Sequence, residues 1–143
     1  MTTMTNTVQA QAGFTNANIT GNYAWDFGGR VGSSGTLTTT ILGTGRVLAN
    51  GTFSGPFSET MADITSNKIT VCSGTISGTY LVNADGTGTA VITTTGSVSQ
   101  AGPGPCGFVS PIGFDFVMLN QGHVIAFSSN DGNNSVSMTM QSQ

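Results

Sequence analysis

The chain of 143 residues offers little with which to do proton chemistry: one histidine, six acids, three cations and two cysteines. His123 is the only side chain whose ordinary pKa lies near neutrality, which makes it the first candidate for a general acid/base or for a ligand hydrogen bond. Its plainer reading is a partly exposed hairpin residue. Asp26 and Asp115 each interrupt an apolar strand. Buried there, either carboxyl would have a raised pKa and could pass a proton; the plainer reading is a solvated, outward residue. Glu59 and Asp63 flank Met61 in a polar segment and read as surface residues. Asp85 and Asp131 precede glycines and are explained by turn chemistry. Arg30 and Arg46 could hold an anionic head group at a rim or simply aid solubility.

Several site types are missing from the sequence. There is no calcium loop of alternating acids, no CxxC or Cys/His cluster for zinc, no G-x-S-x-G nucleophile and no phosphate loop. Neither a metal nor a cofactor is expected. Cys72 and Cys106 would close a loop of roughly 35 residues if paired, worth about 3–4 kcal/mol by loop entropy. The alternative is two buried free thiols.

The background of these few groups is as informative as the groups themselves. Charged residues make up 6% of the chain, against about 25% in ordinary domains. Three scattered cations cannot form the basic patch a nucleic-acid partner needs. Hydrophobic content of 37% with a net charge of -3 excludes charge-driven disorder, and no apolar run reaches the roughly 18 residues of a membrane helix. Thr, Ser, Asn and 21 Gly fill the gap. Thr suits a pleated strand, and glycine at this density breaks helices. An all-β protein follows.

Residues 1–18 are polar and aperiodic and read as a flexible or loosely docked N-terminal arm before a single domain over 19–143. Met1 to Ala12 holds no basic and apolar leader, although Ala10-Gln11-Ala12 has the small-x-small form of a cleavage site. With the cysteines and the neutral surface, this points to an extracellular or periplasmic protein that has lost a leader. Tyr23, Trp25 and Phe27 share one face of a first strand ended by Gly28-Gly29 and Gly32. A Thr-rich strand from Ser34 to Leu42 closes at Gly43-Thr44-Gly45. Arg46 to Phe53 follows, with a turn or bulge at Asn50-Gly51. Pro56 marks an edge or bend. Lys68 to Cys72 and Thr75 to Val82 read as two strands or one bent at Gly74, and Thr87 to Thr95 as another. Residues 96–111 form one long loop. The last strands are Ile112 to Asn120, His123 to Ser129 and Asn134 to Gln141.

Two-residue turns at Gln121-Gly122 and Asp131-Gly132 would pair Met118 with Ile125, Phe116 with Phe127, Phe127 with Val136, Ile125 with Met138 and His123 with Met140. One face then carries Phe114, Phe116, Met118, Ile125, Phe127, Val136, Met138 and Met140, and His123 ends it at a barrel mouth. A one-residue slip would scatter that set. The opposite face, with Asp115, Val117, Leu119, Val124, Ala126 and Ser128, is mixed, and predicts cover by the N-terminal arm or by a second subunit in a homo-oligomer. About eight strands in a meander predict an antiparallel up-and-down barrel, the alternative being a two-sheet sandwich.

The spans GNYAWDFGGRVGSSGTLTTT, GTYLVNADGTGTAVITT and FDFVMLNQGHVIAFSSNDGNNSVSMTMQ resemble a group of small, mostly uncharacterised bacterial proteins, often exported, with a G-x-Y-x-F/W start and a GTYxVNxDGTGT motif. The resemblance covers most of Gly21 to Gln143. Gly21-Asn22-Tyr23 with Trp25 is also similar to the first-strand signature of lipocalin-like barrels, the calycins, and implies a ligand-holding barrel. Barrels of the allene oxide cyclase type, which fold a flexible substrate in an apolar cavity, are a further comparison.

The reading that joins these observations is a barrel binding a hydrophobic small molecule in its interior. Tyr23, Trp25, Phe27, Phe114, Phe116, Met118, Ile125, Phe127, Met138 and Met140 would line the pocket, or simply pack a core. A cofactor-free cyclase or isomerase acting through His123, Asp115 or Asp26 is the second reading. An assembly protein of the cell exterior is the third.

Overall fold

The computed structural model describes residues 13–31, 35–102 and 104–143. Eight strands, β1 (Gly21–Val31), β2 (Leu37–Leu48), β3 (Thr52–Asp63), β4 (Ile69–Val82), β5 (Thr87–Gln100), β6 (Ile112–Leu119), β7 (Val124–Ser129) and β8 (Ser135–Ser142), form an antiparallel meander. The sheet closes where β1 pairs with β8, Trp25 opposite Met140 and Phe27 opposite Met138. The result is an up-and-down barrel, not a sandwich, with no sheet edge left between its strands. No helix among the described residues is long and apolar enough to cross a membrane.

Period-two alternation drives this architecture. Along β6 the pattern Ile112, Phe114, Phe116, Met118 is buried while Asp115, Val117 and Leu119 are exposed, and β8 buries Val136, Met138 and Met140 in the same way. Interior glycines complete the packing. A Cβ on Gly43 or Gly45 would overlap the Trp25 indole, one on Gly78 the Phe53 ring, and one on Gly88 the Phe116 ring. Large rings on one strand therefore occupy the space that missing side chains leave on the next. This explains why Gly43-Thr44-Gly45 does not end a strand: β2 runs through it to Leu48, and the turn comes at Asn50-Gly51. Gly28-Gly29 likewise lie within β1; Gly32 and Ser34 lie outside the described residues. Pro56 sits mid-strand in β3, where its missing N–H interrupts the pairing with β2.

The β6–β7 register is the expected one, with Met118 opposite Ile125 and Phe116 opposite Phe127. Positive φ at Asn120 (50°), Gln121 (56°) and Gly122 (90°) forms the turn that joins them, a 3-10 element over Asn120–Gly122 rather than a two-residue turn at Gln121-Gly122. The β7–β8 register is offset from the expected one by two residues: Ile125 faces Met140 and Phe127 faces Met138. The connection is longer than Asp131-Gly132 because Asp131 accepts from the N–H groups of Asn133 and Asn134, winding residues 130–134 into a wider loop. Lys68 to Val82 is one strand in essence, β4, and β5 extends to Gln100 rather than ending at Thr95. Its last residues are exposed on both faces, so no alternation marks them.

The ends of the barrel are built differently. At one end a 3-10 helix, Asn16–Ile19, docks across the opening. Ile19 is buried; the Tyr80 hydroxyl donates to the Leu48 carbonyl at 2.5 Å and the Tyr23 hydroxyl to the Gly122 carbonyl at 2.7 Å. The Val82 N–H donates to Asn16 Oδ1, and the Phe14 N–H to the Ala84 carbonyl. Residues 14–18 make these contacts across the barrel end; residues 1–12, with Ala10-Gln11-Ala12, lie outside the described residues. The docked segment covers the barrel end and not the mixed face, where Val117 and Leu119 stay exposed.

Candidate functional site

At the opposite end, residues 104–111 fold back into the mouth of the barrel. Inward alternation along β3 places Phe53, Phe57, Glu59 and Met61 in the interior. Glu59 is 2% exposed. The Thr39 hydroxyl donates to its Oε1 at 2.6 Å, and the Gly107 N–H donates to Oε2 at 2.5 Å. Cys72 of β4, opposite Glu59, forms a disulfide with Cys106. Cys72 Sγ lies 3.3 Å from Glu59 Oε2. That sulfur carries no hydrogen in the disulfide, so this is a contact and not a hydrogen bond.

The loop has further fastenings. The Phe108 N–H donates to Thr94 Oγ1 at 2.6 Å, and the Gly104 N–H to Thr70 Oγ1 at 3.3 Å. Phe108 is buried edge-on against Phe27, with ring centroids 6.0 Å apart. Gly107 takes φ 68° beside the Thr94 side chain, a conformation and a space that both favour glycine. Between this loop and the strand ends lies a cleft of about 370 Å³. Its apolar wall includes Val31, Leu37, Met61, Phe108 and Ile112, and Asp131 and Asn133 stand at its polar edge. Val109, 86% exposed, overhangs it.

The residues expected to line a pocket are all inside the barrel: Tyr23, Trp25, Phe27, Phe114, Phe116, Met118, Ile125, Phe127, Met138 and Met140 are buried together. They pack against one another, with edge-to-face contacts from Phe27 to Phe114 and from Phe114 to Phe127. Trp25 Nε1 is a buried side-chain polar atom without a hydrogen-bond partner. It and the Pro56 carbonyl both border the space a Gly43 side chain would fill.

The expected proton-transfer groups are dispersed. Asp26 is exposed on the outer face of β1, between Leu42 and Thr139. Asp115 is exposed on β6 and accepts from Asn130 Nδ2 at 2.9 Å. His123 is exposed at the helix-capped end, its Nδ1 2.9 Å from Ser142 Oγ. It stands beside Ser142 rather than Met140 because of the two-residue offset in β8. Arg30 and Arg46 are both exposed, near opposite ends of the barrel. Glu59, read from its polar neighbourhood as a surface residue, is instead the buried carboxylate. The signal was there in the odd-numbered spacing of Phe53, Phe57, Glu59 and Met61. Asp63 is half-buried and closes a turn; the Thr65 N–H and hydroxyl, then Ser66, hold its carboxyl below the usual carboxylate range. Asp85 is lowered in the same way, first by the Thr87 hydroxyl and then by the Thr87 N–H.

No protein-family model, curated protein or solved structure matches the chain.

Proposed function

We propose that the protein is a small-molecule-binding β-barrel that takes an apolar ligand at its disulfide-closed mouth. The observation that carries this reading is the cleft of about 370 Å³, which falls within the size range of small-molecule sites and is walled by Leu37, Met61 and Phe108. Behind it the interior continues as the aromatic and Met cluster, so the cleft is the outer layer of the same apolar volume. The resemblance of the first strand to lipocalin-like barrels supports the same reading. The disulfide supports an extracellular or periplasmic setting, where such bonds persist.

Titration with a neutral naphthylamine dye tests it. Binding with enhanced emission is expected, weakened about tenfold in Val109→Asp, where a charge is set over the apolar wall. Val117→Asp, exposed on the outer face of β6 toward the helix-capped end, should bind as the parent does. Equal loss in both variants, or no dye binding at all, would overturn the reading. For an enzyme that templates its substrate in this barrel, Glu59 is the buried carboxyl at hand, since Asp26, Asp115 and His123 are exposed.

A further inference from the structure

The geometry points to a latent site for a thiophilic divalent cation at Glu59, Cys72 and Cys106, closed while the disulfide is intact and available once it is reduced. Burying a carboxylate without a cation is expensive, by several kcal/mol even after relaxation. All three cationic side chains of the chain, Arg30, Arg46 and Lys68, are exposed. Glu59 is nevertheless 2% exposed, and among the described residues a hydroxyl and one backbone N–H donate to it, one to each carboxyl oxygen. Both oxygens keep further lone pairs, and a positive charge joining them would offset the cost of burial.

The neighbours supply the rest of a ligand set. A carboxylate oxygen of Glu59 and the two sulfurs lie within 4.8 Å of one another. Reduction by a dithiol transfers two electrons, breaks the S–S bond and leaves two thiols, with the dithiol becoming a cyclic disulfide. A divalent ion then binds as both thiols release their protons, giving two thiolates and one carboxylate around it. Zinc-type geometry, with metal–sulfur bonds of about 2.3 Å, holds two sulfurs roughly 3.8 Å apart. The Cα atoms of Cys72 and Cys106 are 5.7 Å apart, and once the S–S bond is broken, rotation about the Cα–Cβ bond of either cysteine can open that gap between the sulfurs with the loop still fastened. Thr39 orients one carboxylate oxygen, as outer partners of metal ligands commonly do. A fourth position remains for water. The inference depends on neither the apolar ligand nor the cleft.

Co²⁺ is the probe. The full chain is reduced with dithiothreitol, freed of it without oxygen, and titrated. One Co²⁺ per chain is expected, with a thiolate charge-transfer band and the visible bands of a tetrahedral ion, while the oxidised protein gives neither. Glu59→Gln keeps both thiols and should bind more than about tenfold more weakly, since losing even an outer partner of a ligand costs that much. Circular dichroism of the reduced protein is read in parallel. Equal affinity in parent and Glu59→Gln would show a plain dithiol chelate and overturn the three-ligand site. So would a reduced chain that loses its β-sheet signal and does not regain it with Co²⁺.

Discussion

The two ends of this barrel solve one problem by different chemistry. Each must cover the apolar ends of eight strands. One does it with a docked 3-10 helix and phenolic hydroxyls, Tyr23 on Gly122 and Tyr80 on Leu48, in bonds that form and break freely. The other uses a covalent tether, Cys72–Cys106, with a buried carboxylate under the tethered loop. The difference suggests a division of labour. The helix-capped end is sealed by many neutral contacts and, among the described residues, has no buried charge. The disulfide end concentrates the buried carboxylate, the sulfurs and the apolar cleft in one place.

The largest expected effect comes from removing the tether. Cys72→Ser with Cys106→Ser should cost about 3–4 kcal/mol in chemical denaturation, from the loop of sequence separation 34. Amide exchange should rise over residues 104–112 and stay unchanged over 14–20. Equal acceleration at both ends would dissolve the contrast. At the other end, Tyr80→Phe strips the donor from the Leu48 and Asn16 carbonyls and should cost about 1–3 kcal/mol, with the opposite exchange pattern.

Alkaline titration sharpens the same point. Burial, and then the nearby Tyr23, push the Tyr80 hydroxyl up to about 12. Its folded-state pKa is thus raised above the unfolded value, so the folded chain holds its proton longer. That share of stability is intact below about pH 10 and is lost as pH rises toward 12. Fluorescence-detected unfolding should show the decline, and Tyr80→Phe should flatten it. Tyr23→Phe, losing one buried bond to Gly122, should have the smallest effect, about 1 kcal/mol.

What could be read from the sequence was whatever burial on one face writes into it. The alternation of Phe114, Phe116 and Met118 fixed faces and led to the barrel, and Gln121-Gly122 fixed a register. The two-residue offset of β8 was invisible because it returns every side chain to the same face. The end of β5 was invisible because both of its faces are wet. Glu59 was misread because residue type was weighed above position: its parity with Phe57 and Met61 placed it inside, and its charge argued for the surface. Pairing of Cys72 with Cys106 is one of two readings that the sequence leaves open, and that the disulfide lies against Glu59 depends on strand pairing between β3 and β4, which no local pattern encodes.

The closure of the sheet has a kinetic consequence. Every strand pairing but one joins neighbours in sequence, and each of these can form with little loop entropy to overcome. The β1–β8 seam alone joins residues over a hundred positions apart, such as Trp25 and Met140. A chain of this kind should assemble a curling ribbon early and commit late, when the first and last strands meet. Substitutions along the seam, at Trp25 or Met138, should therefore slow folding if closure is the barrier, while those in the β3–β4 hairpin should mainly hasten unfolding.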